Sequence, residues 1–251
     1  MQQGKKETEK LYHTMLLFFV TLFIVSACFL ASDLIPRMEA SNEIKTIQQE
    51  SPASETVDKQ PSIASLKQIN PDIVGWISIE NSDMDFPLLQ CSNNSYYLTH
   101  TYTEEYNDAG SIFLDCSNSP YFTDQNTVIY GHARKDGTMF AQLKKYKKQS
   151  GYEESPVITI IIENNIYYYQ VFSVNIVDAT YDYRSAEYSD FSSYIRAMRK
   201  TSIIDSAAVV TDKSRIITLS TCSAEIEDGR LAILAVLLNP GGESMNAAAL
   251  N

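Results

Sequence analysis

The chain has 251 residues, a mass of 28.2 kDa and a net charge of −11, with an isoelectric point near 4.7. Hydrophobic residues at 44% and charged residues at 20% exclude wholesale disorder, and the acidic balance argues against nucleic acid, whose phosphates need a basic surface. Sixteen Tyr and ten Phe against nine Gly favour a β-rich domain packed with aromatic side chains.

Leu11 to Ser32 carries no formal charge and includes Leu16, Leu17, Phe18, Phe19, Val20, Leu22, Phe23, Ile24 and Val25. At about 1.5 Å per residue such a helix spans a hydrocarbon core of roughly 30 Å. Lys5, Lys6 and Lys10 precede it, whereas Asp33 and a lone Arg37 follow. The positive-inside bias therefore predicts a cytoplasmic stub over 1–10, a signal-anchor over 11–36 and everything later outside the cell membrane. A cleaved signal peptide and a lipoprotein box ending at Cys28 are the alternatives, and both deliver the same external domain. The stub carries one net positive charge and Asp33 cancels it, so the −11 belongs entirely to residues 37–251.

Residues 37–61 are rich in Ser, Glu, Gln and Pro and read as a linker. About 190 to 215 residues remain beyond the tether, which suits one domain with a substantial core. Ile63, Leu66 and Ile69 predict a short amphipathic helix stopped by Pro71. Strands are predicted at 74–79, 86–90, 111–114, 127–130, 157–163, 166–177, 207–211, 215–220 and 231–238, with Asn164-Asn165 as a hairpin turn. One helix is expected after Asp136-Gly137, with Phe140, Leu143 and Tyr146 on one face. Another is expected over 188–200, with Phe191, Ile195 and Met198 inward, Arg196, Arg199 and Lys200 outward, and Ser189 or Asp190 as cap. Many short strands with two inserted helices predict a closed or nearly closed β-barrel over 62–238. Residues 239–251 form a small, polar tail.

Of four cysteines, Cys28 lies in the apolar segment, and Cys91 and Cys116 have no spacing that demands a disulfide. No CxxC pair or HExxH helix points to zinc. Cys222 differs, because it ends the strand Arg215-Ile216-Ile217-Thr218-Leu219-Ser220-Thr221-Cys222 where a thiol is exposed. Arg230 opens the following apolar strand, and His132 follows the strand end Val128-Ile129-Tyr130-Gly131. A thiol needs a base or cation to react as thiolate near neutral pH, and a guanidinium offers fixed donors to a developing oxyanion. Each residue alone is as well explained by a loop or strand end; three together on strand ends point to a Cys-His-Arg site.

Thr218-Leu219-Ser220-Thr221-Cys222 resembles the active-site motif of sortases, the transpeptidases that attach proteins to the cell wall of Gram-positive bacteria. Tyr130-Gly131-His132, the following Asp136-Gly137-Thr138-Met139-Phe140 and Gly229-Arg230 are similar to that family's histidine strand, next helix and arginine position. The resemblance runs from about Leu66 to Leu238 and includes Asn70-Pro71-Asp72-Ile73-Val74-Gly75-Trp76-Ile77 and Gly110-Ser111-Ile112-Phe113-Leu114-Asp115. A helix before the first strand, Ser220 within the motif and a helix-bearing insertion over 178–204, between two late strands, resemble class B. That resemblance implies a mainly β, sortase-like closed barrel with no metal and no cofactor, so Glu104, Glu105 and Asp108 read as a solvated loop.

It also implies a reaction. Cys222 attacks the carbonyl after Thr in a C-terminal sorting signal of Asn-Pro-x-Thr type and forms a thioester. His132 exchanges protons with the leaving and incoming amines, and Arg230 holds the oxyanion. An amine of peptidoglycan or its precursor takes the acyl group, and surface proteins carrying the signal are the partners. Asn94, Leu98, Tyr130, Tyr183 and Ser220 are candidates to line the substrate groove, with packing or strand capping as the alternative role for each. A secreted cysteine endopeptidase acting by hydrolysis and a non-enzymatic wall-associated binding module are the rival readings. A papain-like enzyme places Cys before His, whereas here His132 precedes Cys222 by ninety residues. The lid and second membrane helix of a pilin-polymerising sortase are not visible after residue 238.

Overall fold

The computed structural model describes residues 2–49, 63–163 and 165–239. The chain divides into a first unit, Met1–Glu43, and a second, Ile44–Asn251. Helix α1 (Gln2–Gln49) makes up the first unit and runs on to Gln49 without a break. Its segment Tyr12–Ser32 has a mean hydropathy of 2.5 and is wholly exposed, long and apolar enough to cross a membrane. Helix continues where a linker was expected, because Glu39, Ala40, Glu43, Lys45, Gln48 and Gln49 are strong helix formers. Residues 50–61 of the expected linker and 240–251 of the expected tail lie outside the described residues.

The second unit is a closed β-barrel, as the sequence predicted, built from eight strands. Its strands are β1 (Ile73–Ile79), β2 (Asp85–Leu89), β3 (Ile112–Leu114), β4 (Asn126–Tyr130), β5 (Val157–Ile162), β6 (Asn165–Asp178), β7 (Ile216–Cys222) and β8 (Gly229–Leu237). They close in the order β1-β2-β3-β4-β7-β8-β6-β5, with β5 returning to β1. Two joints are parallel, β2 with β3 and β4 with β7. Parallel neighbours need long crossovers. The first crossover contains a 310 turn at Tyr96–Leu98; the second contains β5, β6 and the helices α3 (Gln149–Glu154) and α4 (Phe191–Lys200).

The seventh of the nine expected strands, 207–211, is irregular chain. A closed barrel has no free edge to offer it, so Val209 stays 79% exposed while Ala208 packs beneath α4. The helix expected after Gly137 is a 310 helix, Phe140–Lys147, followed by α3. Phe140, Leu143 and Tyr146 are all buried, and at 3.0 residues per turn three-residue spacing stacks them directly over one another on one face. The same spacing explains α2 (Ile63–Ile69): Ile63 and Leu66 are buried, but Ile69 has rotated out and is 51% exposed. Pairing of Ile162 with Asn165 moves the β5–β6 turn one residue earlier than expected; Glu163 takes the positive φ of 54°, and Asn164 lies outside the described residues. At the far end Asn239, expected in the tail, is bonded to β6 through Tyr168 N and Ile166 O.

The strand period of two sorts the side chains. Leu231, Ile233 and Ala235 of β8 enter the barrel interior with Ile217 and Leu219 of β7. Ala232, Leu234 and Val236 face outward, under Phe191, Ile195 and Met198 of α4. Both faces of β8 are therefore covered, which is why its sequence reads as a continuous apolar run. Asp190 caps α4 by accepting from Ser193 N at 2.9 Å. Arg199, expected outward, folds back to the carbonyls of Ser206 and Ala208.

Candidate active site

The parity that fills the barrel also selects a working face. Ile129, Ile217, Leu219, Leu231 and Ile233 point inward. Tyr130, Ser220, Cys222 and Arg230 are offset from them by an odd number of residues along their own strands, so they lie on the outer face of the wall. β4 and β7 run parallel with Tyr130 opposite Ser220. β7 and β8 are antiparallel with Cys222 opposite Arg230. A two-residue step along β7 thus carries the wall from a Tyr–Ser pair to a Cys–Arg pair.

Over this face lies a cavity of about 300 Å³ lined by Asn94, Leu98, Phe113, Tyr130, Gly131, His132, Tyr183, Arg184, Ser220, Thr221, Cys222 and Arg230. It brings together all eight residues singled out from the sequence. Gly131 lines it as well, the glycine expected to allow close approach at that strand end, and so do Phe113, Arg184 and Thr221, which had no assigned role because nothing local distinguishes their environment from a core or loop position.

Each crossover contributes one rim. The 310 turn of the first crossover delivers Leu98, whose carbonyl accepts a hydrogen bond from His132 Nε2 at 2.8 Å. A carbonyl only accepts, so Nε2 carries the proton and Nδ1 is the ring nitrogen left for chemistry. Gly131, just before it, sits where a Cβ would fall 2.5 Å from Ile112 Cδ1 and 2.8 Å from the Phe140 ring. Only glycine lets β4 end that close to the neighbouring packing. The loop after His132 is pinned by Asp136, which accepts from Thr138 and pairs with Arg134 at 2.8 Å. Burial pushes the Asp136 carboxyl up, but those donors outweigh it and hold it at about 2.

The second crossover delivers Tyr183, which is 1% exposed and shares a 2.9 Å hydrogen bond with Ser220 Oγ. Asn126, at the start of β4, explains its placement. Its amide donates to the carbonyls of Tyr183 and Ser185, while its Oδ1 accepts from Thr218. A buried amide therefore fastens the insertion to β4 and β7 together.

Cys222 is exposed at the strand end, and all four cysteines are unpaired. Arg230 Nη1 donates to the carbonyls of Asp228 and Gly229, both at 3.0 Å. The loop joining Cys222 to Arg230 is held from a third side: Lys147 pairs with Glu225 and donates to Ser223 Oγ at 3.0 Å. Hydrogen bonds from Lys147 and Ser223 pull the Glu225 carboxyl down to about 2.

Beneath the far wall is Asp115, a residue that the sequence placed at a strand end and to which it assigned no role. It is 7% exposed and accepts from Tyr130 Oη at 2.7 Å, Asn94 Nδ2 at 2.9 Å and Ser117 N and Oγ at 2.9 and 2.6 Å. Burial raises its carboxyl, and the donors of Ser117, Tyr130 and Asn94 more than reverse that, so it stays below the usual carboxylate range. Burial, and then the Asp115 charge, push the Tyr130 phenol well above its ordinary value. Chemically, the cavity offers an accessible thiol, an imidazole with one uncommitted nitrogen and a braced guanidinium on one wall.

Comparison with known proteins adds to this geometry. Residues 77–238 match the family model described as the Sortase domain. The chain is similar to Sortase B of Listeria monocytogenes, 38% identical over 181 residues that cover 70% of this chain and 74% of that protein. It is also similar to Sortase B of Staphylococcus aureus, 35% identical over 180 residues, again 70% of this chain and 74% of the other. A sortase B–substrate complex from Staphylococcus aureus superposes with a TM-score of 0.75 at 30% identity, covering 81% of this chain and 98% of that one.

Proposed function

Because the chain belongs to the sortase family of cysteine transpeptidases and is a class B member, we propose that it cleaves an Asn-Pro-x-Thr sorting signal after Thr and transfers the protein to an amine of peptidoglycan or its precursor. The observation that carries this reading is the Cys222–Arg230 cross-strand pair sharing one cavity with His132.

The steps follow from what each group offers. Cys222 Sγ gives its proton to His132 Nδ1 and, as thiolate, bonds to the Thr carbonyl carbon, and the oxygen takes the charge. Arg230, braced by two backbone carbonyls, presents its remaining N–H groups to that oxyanion. The C–N bond then breaks and His132 delivers a proton from Nδ1 to the departing amine, leaving a thioester. The acceptor amine enters at the same carbon, gives its extra proton to His132 and expels the thiolate. Asn94, Leu98, Tyr130, Tyr183 and Ser220 line the path of the signal.

Place follows from the same reading. Residues 1–10 are the cytoplasmic stub, 11–36 the single membrane-spanning anchor and 37–61 the tether, leaving the catalytic domain, 62–238, outside among surface proteins and wall precursor. The apolar helix Tyr12–Ser32 supports this arrangement.

The test is incubation of the full-length protein in detergent with a library of sorting peptides and candidate amines, with products read by mass spectrometry. The expected result is cleavage after Thr and, with amine present, a ligated product; Cys222→Ala abolishes both. Retained cleavage in that variant ends the proposal, and hydrolysis that no amine diverts ends the transfer half of it.

A further inference from the structure

We infer that Asp115, which does not itself line the cavity, is a specificity-determining positioning residue: through Tyr130 it makes the far wall accept hydrogen bonds from the first residue of the signal and reject a carboxylate there. The inference rests on the sorting-signal reading above and adds to it the residue that sets the choice.

The hydrogen-bond count is closed on the Asp115 side. Oδ1 accepts twice from Ser117, and Oδ2 accepts from Asn94 Nδ2 and Tyr130 Oη. Asn94 is itself immobilised, because its Oδ1 accepts from Cys116 N at 2.7 Å. The Tyr130 hydroxyl has one proton, and Asp115 holds it, so to a partner in the cavity that Tyr130 lines the phenol can offer lone pairs only. Behind them stands an ionised carboxylate that makes four hydrogen bonds and no ion pair among the described residues. A carboxylate arriving from the substrate meets lone pairs and a like charge in a half-buried site, whereas an amide meets an acceptor for its N–H.

The reach is right for the first signal residue. Tyr130 lies one strand across from β7 and is paired two residues before Cys222. Strand spacing and rise put that position roughly 8 Å from Cys222 along the wall. The signal's Asn precedes the scissile Thr by three residues, a separation of up to roughly 10 Å in extended chain.

The experiment compares kcat/KM for two otherwise identical signal peptides, one beginning with Asn and one with Asp, using the full-length protein in detergent. Wild type is expected to favour the Asn peptide. Asp115→Asn is expected to shrink that preference by roughly tenfold or more, through a higher KM for Asn and a gained rate for Asp, because Tyr130 then turns its proton to the substrate. General loosening of the site would slow both peptides and leave their ratio alone. Tyr130→Phe, which removes the hydroxyl without touching the Asp115–Ser117 bonds, shrinks the ratio in the same direction and decides the matter if Asp115→Asn does not fold. An unchanged ratio in the folded variants, or no preference in wild type, overturns the inference while leaving the sortase reading intact. Cleavage of neither peptide by wild type overturns both.

Discussion

Replacing Arg230 by Lys keeps the positive charge and removes the planar donor fork. Arg230 spends Nη1 on the carbonyls of Asp228 and Gly229, and Nη2 and Nε remain to meet an oxyanion at Cys222. A Lys ammonium has three donors on a flexible stem; satisfying the same two carbonyls leaves at most one, without a fixed direction. Loss of one preorganised oxyanion donor costs about 2.7–4 kcal/mol of transition-state stabilisation, or roughly 100- to 1,000-fold in kcat. The ground-state carbonyl makes weaker use of those donors, so peptide KM should move little. Cleavage of a fluorophore–quencher signal peptide by the full-length protein gives both parameters, with a thermal melt as control for folding. A kcat within roughly threefold of wild type in a folded Arg230→Lys protein would refute the reasoning, because charge alone would then suffice.

Gly131→Ala should destabilise the barrel by about 1–3 kcal/mol, since the added methyl meets Ile112 at 2.5 Å and the Phe140 ring at 2.8 Å. It should also lower kcat/KM by displacing His132; an unchanged melting temperature would show that the packing there is not tight. The Glu225 carboxyl is depressed from its ordinary value of 4.5 to about 2 by Lys147 and Ser223. The stability it adds is therefore complete above the unfolded value and drains away as pH falls from 4.5 toward 2. Glu225→Gln should flatten that part of the stability–pH curve, by no more than about 1 kcal/mol for so exposed a pair. A curve identical to wild type would mean that Lys147 does not tie down the loop after Cys222.

Much of this was readable residue by residue. Eight of the nine predicted strands form, because alternating or continuous runs of β-branched and aromatic residues such as Ile158 to Ile162 or Leu231 to Val236 act over a few neighbours. The chemistry of the site was readable for the same reason: a thiol, an imidazole and a guanidinium each ending or opening a strand are local facts, and the motif around Cys222 is contiguous. What failed was whatever depends on distant chain. Ala207 to Val210 has strand-like composition, but the closed barrel has no edge for it. Phe140, Leu143 and Tyr146 share a buried helix face as expected, but only the structure decides that the helix is 310, because three-residue spacing fits 3.0 and 3.6 residues per turn almost equally over so short a run.

Asp115 and Asn126 mark the boundary most clearly. Nothing in Phe113-Leu114-Asp115 says that the carboxylate will meet Tyr130 and Asn94, and nothing in Asp124-Gln125-Asn126 says that this amide will hold carbonyls at 183 and 185. By itself, the sequence determined the apolar helix, the acidic domain that follows it, the strands and the three reactive side chains. The tertiary structure alone decided that Cys222 stands opposite Arg230, that both share the outer face with Tyr130 and Ser220, and that two crossovers lay Leu98 and Tyr183 over them. The physical reason is that backbone ladder bonds are nearly the same for any residue pair. Which strands meet, and in which register, is settled by how the whole barrel buries its alternate side chains at once.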